Sequence, residues 1–82
     1  MDVFQGRRAT GSAEFEPDYE RLAQESLATS GFRSVHEINV VRLGATLVLS
    51  GAVSTYYQKQ VAQELVRRIA GGLTVVNDVE VP

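Results

Sequence analysis

Cysteine is absent from this 82-residue chain. That excludes a disulfide framework and a thiolate metal site, so stability has to come from packing alone. Long apolar runs are missing too. Stretches such as Ala45-Thr46-Leu47-Val48-Leu49 fall far short of the ~20 residues that span a bilayer. The first residues, Met1-Asp2-Val3-Phe4-Gln5-Gly6-Arg7-Arg8, lack the apolar centre of a secretory signal. On that reading the chain is cytoplasmic as it stands, or belongs to the envelope or periplasm if it is cut from a longer exported protein. There is one histidine, His36, with no converging His, Cys, Asp or Glu partners for a metal site or a nucleophile relay. It reads as a surface residue on an edge strand. Net charge is only −2, the wrong sign for a general nucleic-acid binder, and no Gly-x-x-Gly loop joins two helices as in a KH-like RNA module.

What is present is enough for one core. Hydrophobic residues make up 44% and charged residues 22%, too apolar for disorder, while the length leaves no room for a second core. Residues 1–15 read as a flexible N-terminal tail, because Gly6, Gly11 and Ser12 interrupt any periodicity. The domain is expected over residues 16–82. The acidic excess falls on Glu14, Glu16, Asp18, Glu20 and Glu25, where carboxylates suit the positive end of a helix starting near Pro17.

From there Tyr19, Leu22, Ala23, Ser26 and Leu27 recur at helical spacing, with Glu20, Arg21, Gln24 and Glu25 off the stripe. Gly31 is expected to close this helix in a left-handed conformation, with Phe32 folding back over its last turn. The period then becomes two. His36, Ile38, Val40 and Arg42 alternate with Glu37, Asn39 and Val41, and Leu43-Gly44-Ala45 makes a hairpin connection. The next strand, Thr46 to Val53, is apolar on both faces and so central. In it Gly51 is expected to let a helix lie close to the sheet. Ser54 is the expected N-cap of a second helix, with Val61, Ala62, Leu65 and Ile69 as its buried stripe, Val66 on the flank, and Glu64 paired with Arg68.

Gly71-Gly72 ends that helix and therefore cannot cradle a phosphate, since such loops precede a helix. A last strand, Leu73 to Val81, places Asn77 among inward valines, where it is expected to satisfy the backbone of a neighbouring loop rather than grip a ligand. The fold class predicted is α/β of the α+β type, αββαβ: a three-stranded mixed sheet, strand two central, with two helices packed on one face.

Three segments taken in order, Ile38-Asn39-Val40, Leu47-Val48-Leu49-Ser50-Gly51-Ala52-Val53-Ser54 and Gly72-Leu73-Thr74-Val75-Val76-Asn77-Asp78-Val79-Glu80-Val81, resemble the BON domain. The likeness runs over about residues 17–82, with Leu43-Gly44-Ala45-Thr46 replacing the usual Asp-Gly-type turn and Leu73 standing where valine is typical. It implies an αββαβ module of the kind found mainly in bacterial envelope-stress, osmotic-shock, outer-membrane and channel-associated proteins. Such modules bind phospholipid membranes or other proteins. The resemblance implies no catalytic residues, and the residues themselves point to no cofactor and no metal site. The expected function is thus a non-catalytic binding module for an anionic phospholipid surface or a protein partner. The alternative is a small-ligand or potassium-type cation sensor, for which Asp78 and Glu80 are too few oxygen ligands. On the second helix Tyr56, Lys59, Gln63 and Arg67 share an arc without an acidic residue. Of these, Tyr56, Lys59 and Arg67 are the candidate contact surface.

Overall fold

The computed structural model describes residues 16–82, so the tail expected over residues 1–15 lies outside the described residues. The first helix, α1 (Tyr19–Ala28), starts at Asp18, whose carboxylate accepts the Arg21 amide at 3.2 Å. Pro17 sits just ahead of this cap rather than inside the first turn. Ala23 and Leu27 are fully buried, and Tyr19, Leu22 and Ser26 flank them, as the helical spacing predicts. Gly31 does not close the helix. The chain leaves through Thr29, a right-handed residue that bonds back to Ser26.

A short helix then intervenes, α2 (Arg33–His36), capped by Phe32. This corrects the expectation for His36. It ends a helical turn instead of opening a strand, and its ring nitrogen meets the Ser30 carbonyl. The turn exists because Val35 and Ile38 must both reach the core, and each is at most 1% exposed. Three residues of extended chain would place them on opposite faces, whereas helical chain brings them to one side.

β1 (Asn39–Leu43) and β2 (Thr46–Ala52) pair antiparallel across the two-residue turn Gly44-Ala45. Gly44 takes φ +60 there, the left-handed geometry that such turns demand. β3 (Thr74–Glu80) pairs parallel with β2 on its other side, from Thr46 opposite Thr74 to Ala52 opposite Glu80. The order β1-β2-β3 puts strand two in the centre of a mixed sheet. Connecting β2 to β3, α3 (Tyr56–Ile69) is the crossover. The element order is the predicted one with α2 added.

The cap of α3 is Thr55, not Ser54. Thr55 Oγ1 accepts the Gln58 amide at 3.1 Å, and the Gln58 side chain returns to accept the Ser54 amide at 3.0 Å. Glutamine three residues after threonine makes this reciprocal arrangement possible. The buried centre of α3 is also turned from its expected direction. Ala62 and Val66 are fully buried, with Val61, Leu65 and Ile69 only half-buried. Small residues at the centre let the helix approach the sheet closely and push the larger ones to its flanks.

Val40, Leu47, Leu49 and Val79 line the sheet face beneath α1 and α3 and are all buried. On the other face Val41, Val48 and Val76 form a row across the three strands. Val41 and Val76 are 40% and 44% exposed, so among the described residues nothing covers that side.

The free edge of β1 is closed by α1. Gln24 donates to the Ile38 carbonyl at 3.0 Å and accepts the Val40 amide at 2.9 Å, and Glu20 accepts the Arg42 amide. Gln24, expected on the solvent side, is in fact half-buried and supplies both halves of a missing strand partner. Gln24→Leu should therefore cost about 1–2 kcal/mol, because two backbone groups lose their partner while the helix keeps its shape. Urea titration checks this, and an unchanged midpoint would mean that water satisfies the edge equally well.

Candidate functional site

α3 carries all three sequence-predicted contact residues, and the structure brings two of them together. Tyr56 is the first residue of the helix and 73% exposed. The Lys59 ammonium lies 6.0 Å from its ring centroid, near the outer limit of cation–π attraction. Lys59 is half-buried, its backbone carbonyl accepting the Asn77 side-chain amide at 3.0 Å. The same amide reaches Gln63 at 3.2 Å, while Asn77 Oδ1 accepts the Val79 amide at 3.2 Å. Asn77 thus ties α3 to β3. Its partners are helix and strand backbone plus one side chain, rather than the loop backbone that the sequence suggested.

Arg67 stands apart from the other two. Its guanidinium grips Glu64 in a fork, Nη2 to Oε1 at 2.6 Å and Nε to Oε2 at 3.3 Å. The bond from Arg67 holds the Glu64 carboxyl below its ordinary pKa, and the same bond raises that of Arg67. Two expectations change as a result. Glu64 pairs with Arg67 at i,i+3 and not with Arg68 at i,i+4. The arc of Tyr56, Lys59, Gln63 and Arg67 also has an acid folded onto its far end, so its net charge is carried by Lys59.

Next to this arc lies a feature that sequence reasoning missed. Tyr57, Gln60, Val61, Glu64, Leu65 and Arg68 line an open groove of about 250 Å³ along α3. Tyr57 is 68% exposed and meets Phe32 edge to face, with centroids 5.9 Å apart. The groove exists because Val61 and Leu65 were displaced from the buried centre by Ala62 and Val66. A second stripe at i, i+4, i+8 and i+11, running Tyr57, Val61, Leu65, Arg68, was visible in the sequence as surplus apolar surface. The head of α3 therefore presents two exposed tyrosines and one lysine, and its flank offers an apolar trough ending at Arg68.

Among the described residues no three metal-ligating side chains cluster, and no helix is long and apolar enough to cross a membrane. Residues 18–82 match the profile of the BON domain, which is nearly the whole described part of the chain. No curated protein matches at a significant level.

Proposed function

The chain belongs to the BON domain family, a family of non-catalytic binding domains, and from that membership we propose that it attaches to anionic phospholipid surfaces through the exposed side of α3. The observation that carries this reading is the open apolar groove lined by Tyr57, Val61 and Leu65 and ending at Arg68, with the exposed Tyr56 at the head of the same helix. Tyrosine is suited to a membrane interface, with an apolar ring and a hydroxyl that stays wet. Each base near an anionic surface adds ~1 kcal/mol, so the attachment is weak and reversible. Val61 and Leu65 supply apolar area without burying a helix in the hydrocarbon.

Co-sedimentation with phosphatidylcholine vesicles, with and without phosphatidylglycerol, tests the reading. Binding is expected only with the anionic lipid and should fade as salt is raised. Lys59→Glu with Arg67→Glu should abolish it. Arg67 is an exposed helix charge that contributes only tenths of a kcal/mol to folding, and urea titration of the double mutant checks that the change at the half-buried Lys59 leaves the fold intact. Glu64→Gln should act in the opposite direction. It frees the Arg67 guanidinium and should tighten binding about fivefold, on the basis of ~1 kcal/mol per base. Equal binding by wild type and the double mutant would leave this face as mere solvated helix. No binding by the wild type would turn the search to a protein partner.

A further inference from the structure

The two edges of the sheet are treated differently. Gln24 and Glu20 close the β1 edge, but among the described residues no element lies along β3. Thr74 donates to the Ala45 carbonyl and Glu80 accepts from the Val53 amide, so the even-numbered residues of β3 face β2. The backbone groups of Val75, Asn77 and Val79 therefore point away from the sheet. Among the described residues only the Val79 amide has a partner, the Oδ1 of Asn77 two residues earlier, at 3.2 Å. The strand is seven residues long, contains no lysine, arginine or proline, and has its only charges, Asp78 and Glu80, towards its C-terminal end, so most of its length is without the devices that blunt such an edge.

We propose that β3 is the homodimer edge of this protein: two copies pair their β3 strands antiparallel about a two-fold axis at Asn77, joining two three-stranded sheets into one. The occupant is a second copy because the edge is complementary to itself in three respects. Asn77 meets Asn77 of the second copy, and Val75 meets Val79 of the second copy. Each such pair consists of residues whose amide and carbonyl both point outward, as an antiparallel ladder requires. In this register Asp78 falls opposite Val76 of the second copy and Glu80 opposite Thr74, so no acid lies directly opposite an acid and the two Asp78 carboxylates meet only on the diagonal. A parallel pairing in register would stack Asp78 on Asp78 and Glu80 on Glu80, which is destabilising. The apolar row Val41–Val48–Val76 would end at the junction against Asp78 of the second copy, whose side chain covers part of Val76. In the monomer the Asn77–Val79 contact closes one outward amide, and the dimer trades it for a ladder bond. The association is consequently reversible. It is independent of the membrane reading, which concerns the outward side of α3.

Sedimentation equilibrium of the full chain over a range of concentrations tests the proposal, alongside two variants at one exposed position. Val76→Asp sets two like-charged pairs against Asp78 and should weaken association about tenfold, whereas Val76→Lys sets two opposite pairs and should strengthen it several-fold. A wild type that stays monomeric throughout overturns the proposal, as do variants that shift in the same direction. Amide exchange on the wild type needs no variant at all. The Val75 and Asn77 amides should be protected more as concentration rises. Protection that does not depend on concentration would mean that residues of the same chain cover the edge, and the proposal would fall. Free exchange at every concentration would overturn it equally.

Discussion

Leu49→Ala should cost about 2–5 kcal/mol of folding stability, the range for emptying a fully buried leucine site that relaxes only in part. Leu49 is 0% exposed, sits in the central strand, and is flanked in register by Val40 on β1 and Asn77 on β3. The void would thus open in the middle of the sheet, between both strands that β2 pairs with. Single domains hold only about 5–15 kcal/mol in total, and small ones less, so the variant should be close to unfolding at room temperature. Urea titration should show a lower midpoint with an unchanged slope, since the surface exposed on unfolding is nearly the same. The neighbouring Val48 points to the other face and is half-buried. Val48→Ala should cost about 1 kcal/mol or less, as partly exposed sites do. Equal losses at both positions would show that both faces of the sheet are covered.

That contrast rests on the period-two pattern, which was legible. The alternation in Thr46 to Val53 assigned Leu47, Leu49 and Val53 to one face, and all three are buried. Gly44 marked the hairpin, and Gly71 ends α3 at φ +62. What local pattern could not show was any contact set by the third dimension. Gln24 looks like an exposed helix residue, and only the approach of β1, some sixteen positions later, turns it into an edge partner. The short helix Arg33–His36 is a single turn, too brief for periodicity to register, and two buried positions three apart were its sole trace. Thr55 against Ser54 was decidable, because only Thr55 has glutamine three residues on.

The candidate site was legible to a similar degree. Tyr56 could be placed on the outward side of α3 from spacing alone, whereas Lys59, in line with the buried Ala62 and Val66, is half-buried beside the sheet. The pairing of Glu64 with Arg67 could not, since i+3 and i+4 partners were both on offer. The expected stripe of Val61, Ala62, Leu65 and Ile69, with Val66 on its flank, is rotated in the structure, because helical spacing alone leaves the centre of a wide apolar face open. Ala62 and Val66 take the centre, and Val61 and Leu65 at its flank line the groove.

Gly51 is the position where the expectation and the structure agree on sensitivity and disagree on cause, and one pair of variants separates the two. It was expected to make room for a helix. Instead its φ is +132, a backbone conformation that residues with a side chain rarely adopt, and the residue itself is exposed. The conformation arises where β2 loses one neighbour. Pairing with β1 ends at Asn39 opposite Ser50, while pairing with β3 continues through Gly51 and Ala52. A Cβ at position 51 would lie 3.6 Å from the Ile38 Cα and 3.9 Å from the Glu37 carbonyl, ordinary contact without a clash. The cost of a side chain is therefore backbone strain, about 1–3 kcal/mol, and it is incurred almost entirely by the first carbon. Gly51→Ala and Gly51→Leu should each lower the melting temperature by about 4–8 °C per kcal/mol lost, and by nearly the same amount. If overpacking against a helix were the cause, alanine would be mild and leucine severe. A leucine variant melting far below the alanine one would restore that explanation and contradict the open surroundings of Gly51.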